Sequence, residues 1–320
     1  MITNIPEGTK DYLFEECRVK RGIERALISF FEEQDYNEII TPTFEFYEAF
    51  ASQKIFADEE MYKLIDTAGR ILVLRPDCTT PVARLLGTLL RDSKMPLKLC
   101  YNQNIFRLNN SAGGKKDEIT QCGVELIGEN GIKSDIEIIA TAINALIKCG
   151  LANFKLEIGD VGLFKALAGK INFADGDLKR ARTLIENKNF AALKTLLEKY
   201  KGSEQLNSLP SLFGGVEIIK TASLKLNNEN SQKILGKLEE IMMGLEKLGL
   251  SDYVMLDLGL VSHIDYYSGI IFRAYVEGAG RCVLSGGRYD NLLEKFGKPE
   301  MAAGFAVNVD AILDIVLKKA

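Results

Sequence analysis

The chain has 320 residues, a net charge of −4, a pI of about 5.4 and 47% hydrophobic residues. This length suffices for one large domain or two smaller ones, each with a hydrophobic core. Acidic and basic residues are interspersed, so no overall field favours nucleic acid. The uncharged run Ile138–Ile147 is shorter than the ~18 residues that indicate a membrane span, and the polar start MITNIPEGTK does not resemble a targeting leader.

The six cysteines are scattered and form no CxxC pair. They are typical of free thiols in a reducing compartment, so we expect a cytoplasmic protein. His263 is the only histidine. A single histidine argues against a zinc site, and an ordinary structural role for it is favoured over a catalytic one. We therefore expect neither a bound metal nor a cofactor.

The first third of the chain predicts a helix followed by paired strands. Apolar residues recur at helical spacing over residues 13–34, which indicates an amphipathic helix. The next strand ends at Pro42, which confines it to a sheet edge; a plain edge and a subunit contact both fit. Residues Met61–Pro76 predict a hairpin that turns at Ala68-Gly69. Either Thr79 or Thr80 is expected to cap the helix that follows.

Further along, the elements again alternate between hairpins and helices. The predicted elements are a strand at Leu97–Leu108, a loop at Asn109–Asp117, a strand at Glu118–Gly128, a helix at Ser134–Cys149 and a strand at Phe154–Ile158. Residues 160–248 change character and become rich in lysine and glutamate at helical spacing. Strand character returns at Tyr253, and a last helix is predicted at Val309–Lys318.

This grouping of elements predicts the fold class and the domains. Strands occur in hairpin-like pairs at both ends of the chain, with helices between them, and regular βαβ alternation is absent. The pattern favours an α+β antiparallel sheet over a doubly wound one. We expect a discontinuous core of residues 1–158 and 252–320, interrupted by a helical insertion over 159–251.

Several polar residues are candidates for ligand contacts. Gln121 and Glu125 flank Gly123 on one strand face, which predicts a shallow recess with polar rims, although a solvated strand face has the same pattern. Arg107, on the partner strand, is suited to grip a carboxylate or phosphate. Asp77 and Thr79 are placed between a strand end and a helix start, a usual place for ligand contacts, and a cap-and-turn role explains them equally well.

Tyrosines and glycines later in the chain suit the wall of a small-molecule pocket. Ile264–Ser268 reads IDYYS and Gly286–Asp290 reads GGRYD. Tyrosine supplies a hydroxyl on an apolar ring, and glycine leaves space against the backbone. The run Gly113–Lys116 lacks the spacing of a P-loop, and GxGxxG is absent, so nucleotide-loop motifs are excluded.

In order and spacing, these motifs resemble the catalytic core of the histidyl-tRNA synthetases, a family with the class II aminoacyl-tRNA synthetase fold. The motifs that carry the resemblance are LRPDCT at 74–79, IFR at 105–107, GVE at 123–125, IDYY at 264–267, GGRYD at 286–290 and GFA at 304–306. The resemblance covers the whole chain except the helical insertion. It implies an antiparallel sheet with flanking helices and a dimer interface that includes the strand near Pro42.

The resemblance also implies a histidine-binding pocket. Its residues are Asp77 and Thr79 for the amino group, Arg107 and Gln121 near the amino-acid end, and Glu125, Tyr266 and Tyr267 around the imidazole. These types suit their roles, since an ammonium pairs with a carboxylate and an imidazole with an acid and a phenol. Asp77 is one methylene shorter than the glutamate that is usual at this position in the family.

The departures from the synthetase pattern predict that no catalytic residues remain. Where synthetases carry arginine-glycine and glutamate-arginine, this chain has Ser262-His263 and Asp310-Ala311. Losing one charge-stabilising donor costs about 10²–10³-fold in rate. The loop at 109–117 also has Asn109 and Asp117 where the family has an acid and an arginine. The chain ends just after the core, so we expect no anticodon domain and no tRNA binding.

A synthetase-like core of this kind resembles the family of ATP phosphoribosyltransferase regulatory subunits. That family implies a non-catalytic partner of a short-form catalytic subunit in the first step of histidine biosynthesis, dimeric within a hetero-octamer, with histidine as feedback effector. One alternative is a divergent histidyl-tRNA synthetase-like enzyme that activates histidine with ATP. Another is a stand-alone amino-acid-binding protein. The sequence leaves open whether histidine acts through the retained pocket or at a subunit interface.

Overall fold

A computed structural model describes residues 4–51, 56–108, 116–262, 266–277 and 279–319. The strands are β1 (Asn37–Glu38), β2 (Phe44–Phe46), β3 (Lys63–Ile65), β4 (Ile71–Leu74), β5 (Leu97–Phe106), β6 (Glu118–Ile127), β7 (Phe154–Asp160), β8 (Phe213–Gly214), β9 (Val254–Asp257), β10 (Ile270–Val276), β11 (Cys282–Arg288) and β12 (Ala302–Asn308). The helices are α1 (Phe14–Glu33), α2 (Tyr47–Ala51), α3 (Thr79–Gly87), α4 (Ile132–Lys148), α5 (Val161–Ala168), α6 (Asp177–Glu186), α7 (Phe190–Leu197), α8 (Glu204–Ser208), α9 (Ile218–Lys225), α10 (Glu229–Lys247) and α11 (Val309–Lys319).

Within these residues, nine strands form one sheet in the order β1-β5-β6-β12-β11-β10-β7-β9-β8. The central strands from β5 to β7 pair antiparallel, as predicted, while β1 with β5 and β7 with β9 are parallel. A second sheet, β2-β4-β3, contains the predicted hairpin, and Gly69 adopts φ +78° at its turn. Glycine takes this left-handed conformation without the steric cost of a side chain. The α+β class predicted from the sequence is confirmed.

Helix α1 shows how the amphipathic pattern becomes packing. Ile23, Leu27, Phe30 and Phe31 lie on one face and are at most 6% exposed. They join a core that α4 and the strands β5, β6 and β12 also line. Removing an aromatic side chain such as Phe31 from a core of this kind costs about 3–5 kcal/mol.

The helices between β7 and β9 extend the same core. Leu193, Leu206 and Leu235 belong to the buried cluster that contains Leu156 of β7 and Leu256 of β9. Helical character over this segment is confirmed, with β8 as a short strand within it. The division into a discontinuous core and an insertion over 159–251 stays a prediction.

A buried ionic network ties the sheet to two helices. At the end of β11, Arg288 donates through Nε to Asp135 Oδ1 of α4 at 2.8 Å, and Lys237 of α10 lies 2.7 Å from Asp135 Oδ2. Arg288 also contacts Asp290 at 3.1 Å, and Asp290 accepts from Ser268 Oγ at 3.0 Å. Because Ser268 follows Tyr267 directly, this network fixes the tyrosine segment against the sheet.

Candidate ligand-binding site

A cavity of about 70 Å³ lies over the central strands of the sheet. All seven residues predicted from the sequence line it: Asp77, Thr79, Arg107, Gln121, Glu125, Tyr266 and Tyr267. The remaining lining residues are Tyr101, Ser285, Tyr289, Gly304, Phe305 and Ala306. Residues separated by more than 200 positions therefore converge because β5, β6, β11 and β12 are neighbours in the sheet.

Glu125 is the buried acid of this cavity, with 1% of its surface exposed. Thr79 Oγ1 donates to its Oε1 at 2.9 Å, and the Tyr289 hydroxyl donates a short hydrogen bond to its Oε2. Burial raises the pKa of Glu125 to about 8, although both hydrogen bonds act in the opposite direction. Near neutral pH, the two protonation states therefore differ by only about 1–2 kcal/mol.

Two glycines make room for the groups that fill this region. A Cβ at Gly304, which pairs with Glu125 across β12 and β6, would lie 1.8 Å from Glu125 Oε2. A Cβ at Gly123 would lie 2.6 Å from the Tyr101 hydroxyl. The predicted residues Gln121 and Glu125 do line a cavity, but the Tyr101 ring, and not open space, lies against Gly123.

Asp77 caps helix α3, whereas Thr79 donates a hydrogen bond to Glu125. Asp77 Oδ1 accepts from the Thr80 backbone N–H at 2.8 Å and so caps α3. The expectation that Thr79 or Thr80 provides the cap is wrong, since the Thr79 hydroxyl is directed at Glu125 instead. Burial raises the pKa of Asp77, against the effects of the Thr80 hydrogen bond and the Arg107 charge. Asp77 thus both caps the helix and lines the cavity.

Arg107 lies one residue beyond the end of β5, and its side chain contacts Pro76 and Phe56. Its Nε donates to the Pro76 carbonyl at 2.7 Å, and its guanidinium lies 4.9 Å from the Phe56 ring centroid. These contacts orient a planar donor at the cavity. Among the described residues that line the cavity, Arg107 is the only cation.

Three tyrosines form an aromatic wall. The ring centroids of Tyr266 and Tyr267 are 4.9 Å apart, and those of Tyr266 and Tyr289 are 5.7 Å apart, both edge to face. Burial raises the pKa of all three hydroxyls. They are therefore neutral at physiological pH and can both donate and accept hydrogen bonds.

The sequence prediction missed Tyr101 and Tyr289. Tyr289 belongs to the GGRYD motif. Its contact with Glu125 depends on the order of strands in the sheet, where β12 lies between β11 and β6. Tyr101 pairs with Gly123 across β5 and β6. A glycine opposite a tyrosine on the neighbouring strand of a hairpin leaves space for the tyrosine ring, and this pairing is the signal by which the sequence could have indicated Tyr101.

At the positions where synthetases carry their second conserved pair, this chain has a structural ion cluster. Asp310 is 2% exposed and accepts from Tyr12, from Lys20 and Lys116 at 3.2 Å each, and from the Thr120 N–H at 2.7 Å. Burial favours a higher pKa for Asp310, but the Tyr12 hydrogen bond and the Lys20 charge outweigh it and the pKa is lowered. This carboxylate is committed to joining α1, β6 and α11.

Two of the other departures from the synthetase pattern, Ser262 and Asp117, lie within the described residues. Ser262 is 7% exposed, and Asp117 accepts a hydrogen bond from Tyr62 at 2.6 Å. Asn109 and His263 lie outside the described residues.

Comparison with known proteins places the chain in a family. A histidyl-tRNA synthetase family model matches residues 8–312. The ATP phosphoribosyltransferase regulatory subunit of Clostridium botulinum strain 657 is 49% identical, over 98% of this chain and 76% of that protein. This chain belongs to the ATP phosphoribosyltransferase regulatory subunit family. The protein of that name from Clostridium kluyveri is 47% identical, over 97% of this chain and 81% of that protein.

Solved structures agree with this family. A crystal structure described as an ATP phosphoribosyltransferase regulatory subunit/histidyl-tRNA synthetase from Bacillus halodurans matches with a TM-score of 0.91 and 36% identity, over 98% of this chain and 83% of that one. Histidyl-tRNA synthetase from Nostoc matches with a TM-score of 0.82 at 20% identity, over the full length of this chain and 76% of that one, and this match shows the fold alone. The class II synthetase-like fold and the family predicted from the sequence are confirmed.

The described residues contain neither a membrane-spanning helix nor a cluster of metal ligands. No helix in this part of the chain has both the length and the apolar character needed to cross a bilayer. Across the same ranges, His, Cys, Asp and Glu side chains form no group of three or more that is suited to hold a metal ion.

Proposed function

We propose that this chain is the histidine-sensing, non-catalytic regulatory subunit of ATP phosphoribosyltransferase in histidine biosynthesis. Relatives at 47–49% identity over nearly the whole chain carry the regulatory-subunit name. That membership confirms the prediction of a regulatory rather than a catalytic subunit. Activation of a short-form catalytic subunit, and feedback by histidine, are the parts that we propose.

One observation supports histidine sensing above the others. The cavity keeps the acid, hydroxyls and guanidinium suited to an amino acid, whereas Asp310 of the Asp310-Ala311 pair is locked in a salt-bridge cluster. In our proposal, Arg107 binds the carboxylate of histidine, Asp77 attracts its ammonium group, and Glu125 with Tyr267 binds the imidazole. Gln121, Thr79 and Tyr266 complete the hydrogen-bonding surface.

The size of the cavity suggests how binding is transmitted. Its volume of about 70 Å³ is below the ~300–1,000 Å³ of typical ligand pockets. We infer that histidine entry moves the Tyr266–Tyr267 segment outward. Ser268, Asp290 and Arg288 then carry that displacement to α4 and α10 through the buried network. A ligand that favours the widened state shifts the protein toward it.

Assembly and location complete the proposal. Ile40, Phe44 and Phe46 are 86%, 53% and 45% exposed. Ile40 lies in the segment between β1 and β2 that contains Pro42, and the two phenylalanines lie on β2, an edge strand of the second sheet. Burial of this apolar strip against a second copy supports the dimer that we propose within a hetero-octamer. The proposed assembly acts in the cytoplasm and does not bind tRNA.

Two assays separate this function from its alternatives. We expect the purified chain to bind histidine in a calorimetric titration and to give no histidine-dependent ATP–pyrophosphate exchange. Measurable exchange would establish the synthetase-like alternative. We also expect co-purification with a short-form catalytic subunit and activation of it. Failure of both, with histidine binding intact, would leave a stand-alone amino-acid-binding protein.

A further inference from the structure

A second cavity, of about 290 Å³, shares Tyr267 with the first. Its described lining comes from α5, α6 and the segment after β9, and comprises Val161, Phe164, Lys165, Leu178, Lys179, Arg182, Val261, Ser262 and Tyr267. None of these residues except Tyr267 belongs to the predicted amino-acid site. This second cavity is four times larger than the first and close to the ~300 Å³ at which small-molecule pockets begin.

The interior of the second cavity is apolar. Val161, Phe164 and Val261 are 7%, 8% and 3% exposed, and the ring of Tyr267 adds an aromatic surface. Leu178 lies at the rim and keeps 46% of its surface exposed. An apolar group that enters the cavity removes this surface from water, which favours binding.

Among the described residues that line the second cavity, the charged side chains are all cationic. Lys165 of α5 and Lys179 and Arg182 of α6 line it, and none of its described lining residues is acidic. Lys165 Nζ also donates to the Tyr267 carbonyl at 3.2 Å, which places its charge beside the shared residue. Cations at the edge of an apolar pocket attract the oxyanion of an amphipathic ligand.

We propose that the second cavity binds a small amphipathic anion. A flat aromatic or branched aliphatic group fills the apolar interior, and a carboxylate, sulfonate or phosphate pairs with Lys165 and Lys179. The second cavity takes a different ligand from the proposed histidine site, and the two cavities share Tyr267 as a wall.

The test uses 8-anilinonaphthalene-1-sulfonate, an aromatic anion whose fluorescence rises on transfer to an apolar site. The comparison probe is N-phenyl-1-naphthylamine, which has the same rings and lacks the sulfonate. We expect saturable binding of the sulfonate at one site per chain. Lys179→Glu is expected to weaken it about tenfold while leaving the neutral probe almost unaffected. Leu178→Glu is expected to weaken both probes.

Two matched variants control for net charge and for surface change. Lys194→Glu, on an exposed position of α7, and Leu224→Glu, at an 85%-exposed position of α9, lie outside the second cavity. Both should bind the sulfonate as the parent protein does. No saturable binding, equal weakening by the control variants, or wild-type affinity in Lys179→Glu and Leu178→Glu would each overturn the proposal. Histidine titrations of the same variants report on the first cavity. A failure of the anion proposal can therefore be distinguished from a failure of the proposed histidine site.

Discussion

Replacing Glu125 by glutamine should change how the stability of the protein depends on pH. Burial raises the pKa of Glu125 from 4.5 to about 8, so folding favours its protonated form. This contribution to stability is complete below the pKa that Glu125 has in the unfolded protein, and it is lost as pH rises through the pKa that Glu125 has in the folded protein. The difference between these pKa values corresponds to about 4–5 kcal/mol. Glutamine keeps the size and neutrality of the protonated acid and has no such dependence.

The assay is urea unfolding of the parent and Glu125→Gln proteins between about pH 5 and pH 8. Other buried acids with raised pKa values, including Asp160 and Asp257, titrate in both proteins and cancel in the comparison. We expect the parent to lose several kcal/mol more than the variant over this range, in the direction of lower stability at higher pH. Glu204→Gln, on an exposed surface helix, is the matched control. Parallel curves for the parent and Glu125→Gln would refute the reasoning.

Two further substitutions probe the walls of the site and the network behind it. Gly304→Ala should displace Glu125 and weaken histidine binding at least tenfold, measured by calorimetry. It should also lower the free energy of unfolding by about 1–3 kcal/mol, because the new Cβ would lie 2.5 Å from a backbone carbonyl. Gly236→Ala, in a helix position open to solvent, is the control, and equal histidine affinity in both variants would contradict the first expectation. Arg288→Met leaves Asp135 buried without its main partner and should cost about 3–5 kcal/mol in urea unfolding; a loss below about 1 kcal/mol would contradict the network's role.

Local patterns predicted the elements and much of the site. The two-residue period of β6 placed Gln121 and Glu125 on one face, and the motif resemblance added the tyrosine pair. Pairings between distant segments were not predictable from periodicity. The parallel contact of β1 with β5 joins residues about sixty positions apart, and no local pattern specifies it. A strand's own sequence shows which face is apolar but not which strand lies beside it.

The unforeseen contacts at Thr79 and Gly123 have the same physical origin. A threonine at a helix start can cap the helix or direct its hydroxyl elsewhere, and the partner that decides, Glu125, lies 46 residues away. A glycine beside polar residues predicts space, but the Tyr101 ring from the neighbouring strand fills it. In both cases the outcome depends on a tertiary neighbour that local sequence does not identify.

The most direct test of the account is a reconstituted phosphoribosyl-transfer assay. A short-form catalytic subunit is measured alone, with this chain, and with this chain plus increasing histidine. We expect the chain to activate the catalytic subunit and histidine to inhibit the complex. With Glu125→Ala or Tyr267→Phe, we expect activation to persist and the histidine concentration needed for inhibition to rise about tenfold or more. Unchanged histidine sensitivity in both variants would contradict regulation through this cavity, and failure to activate would contradict the regulatory role.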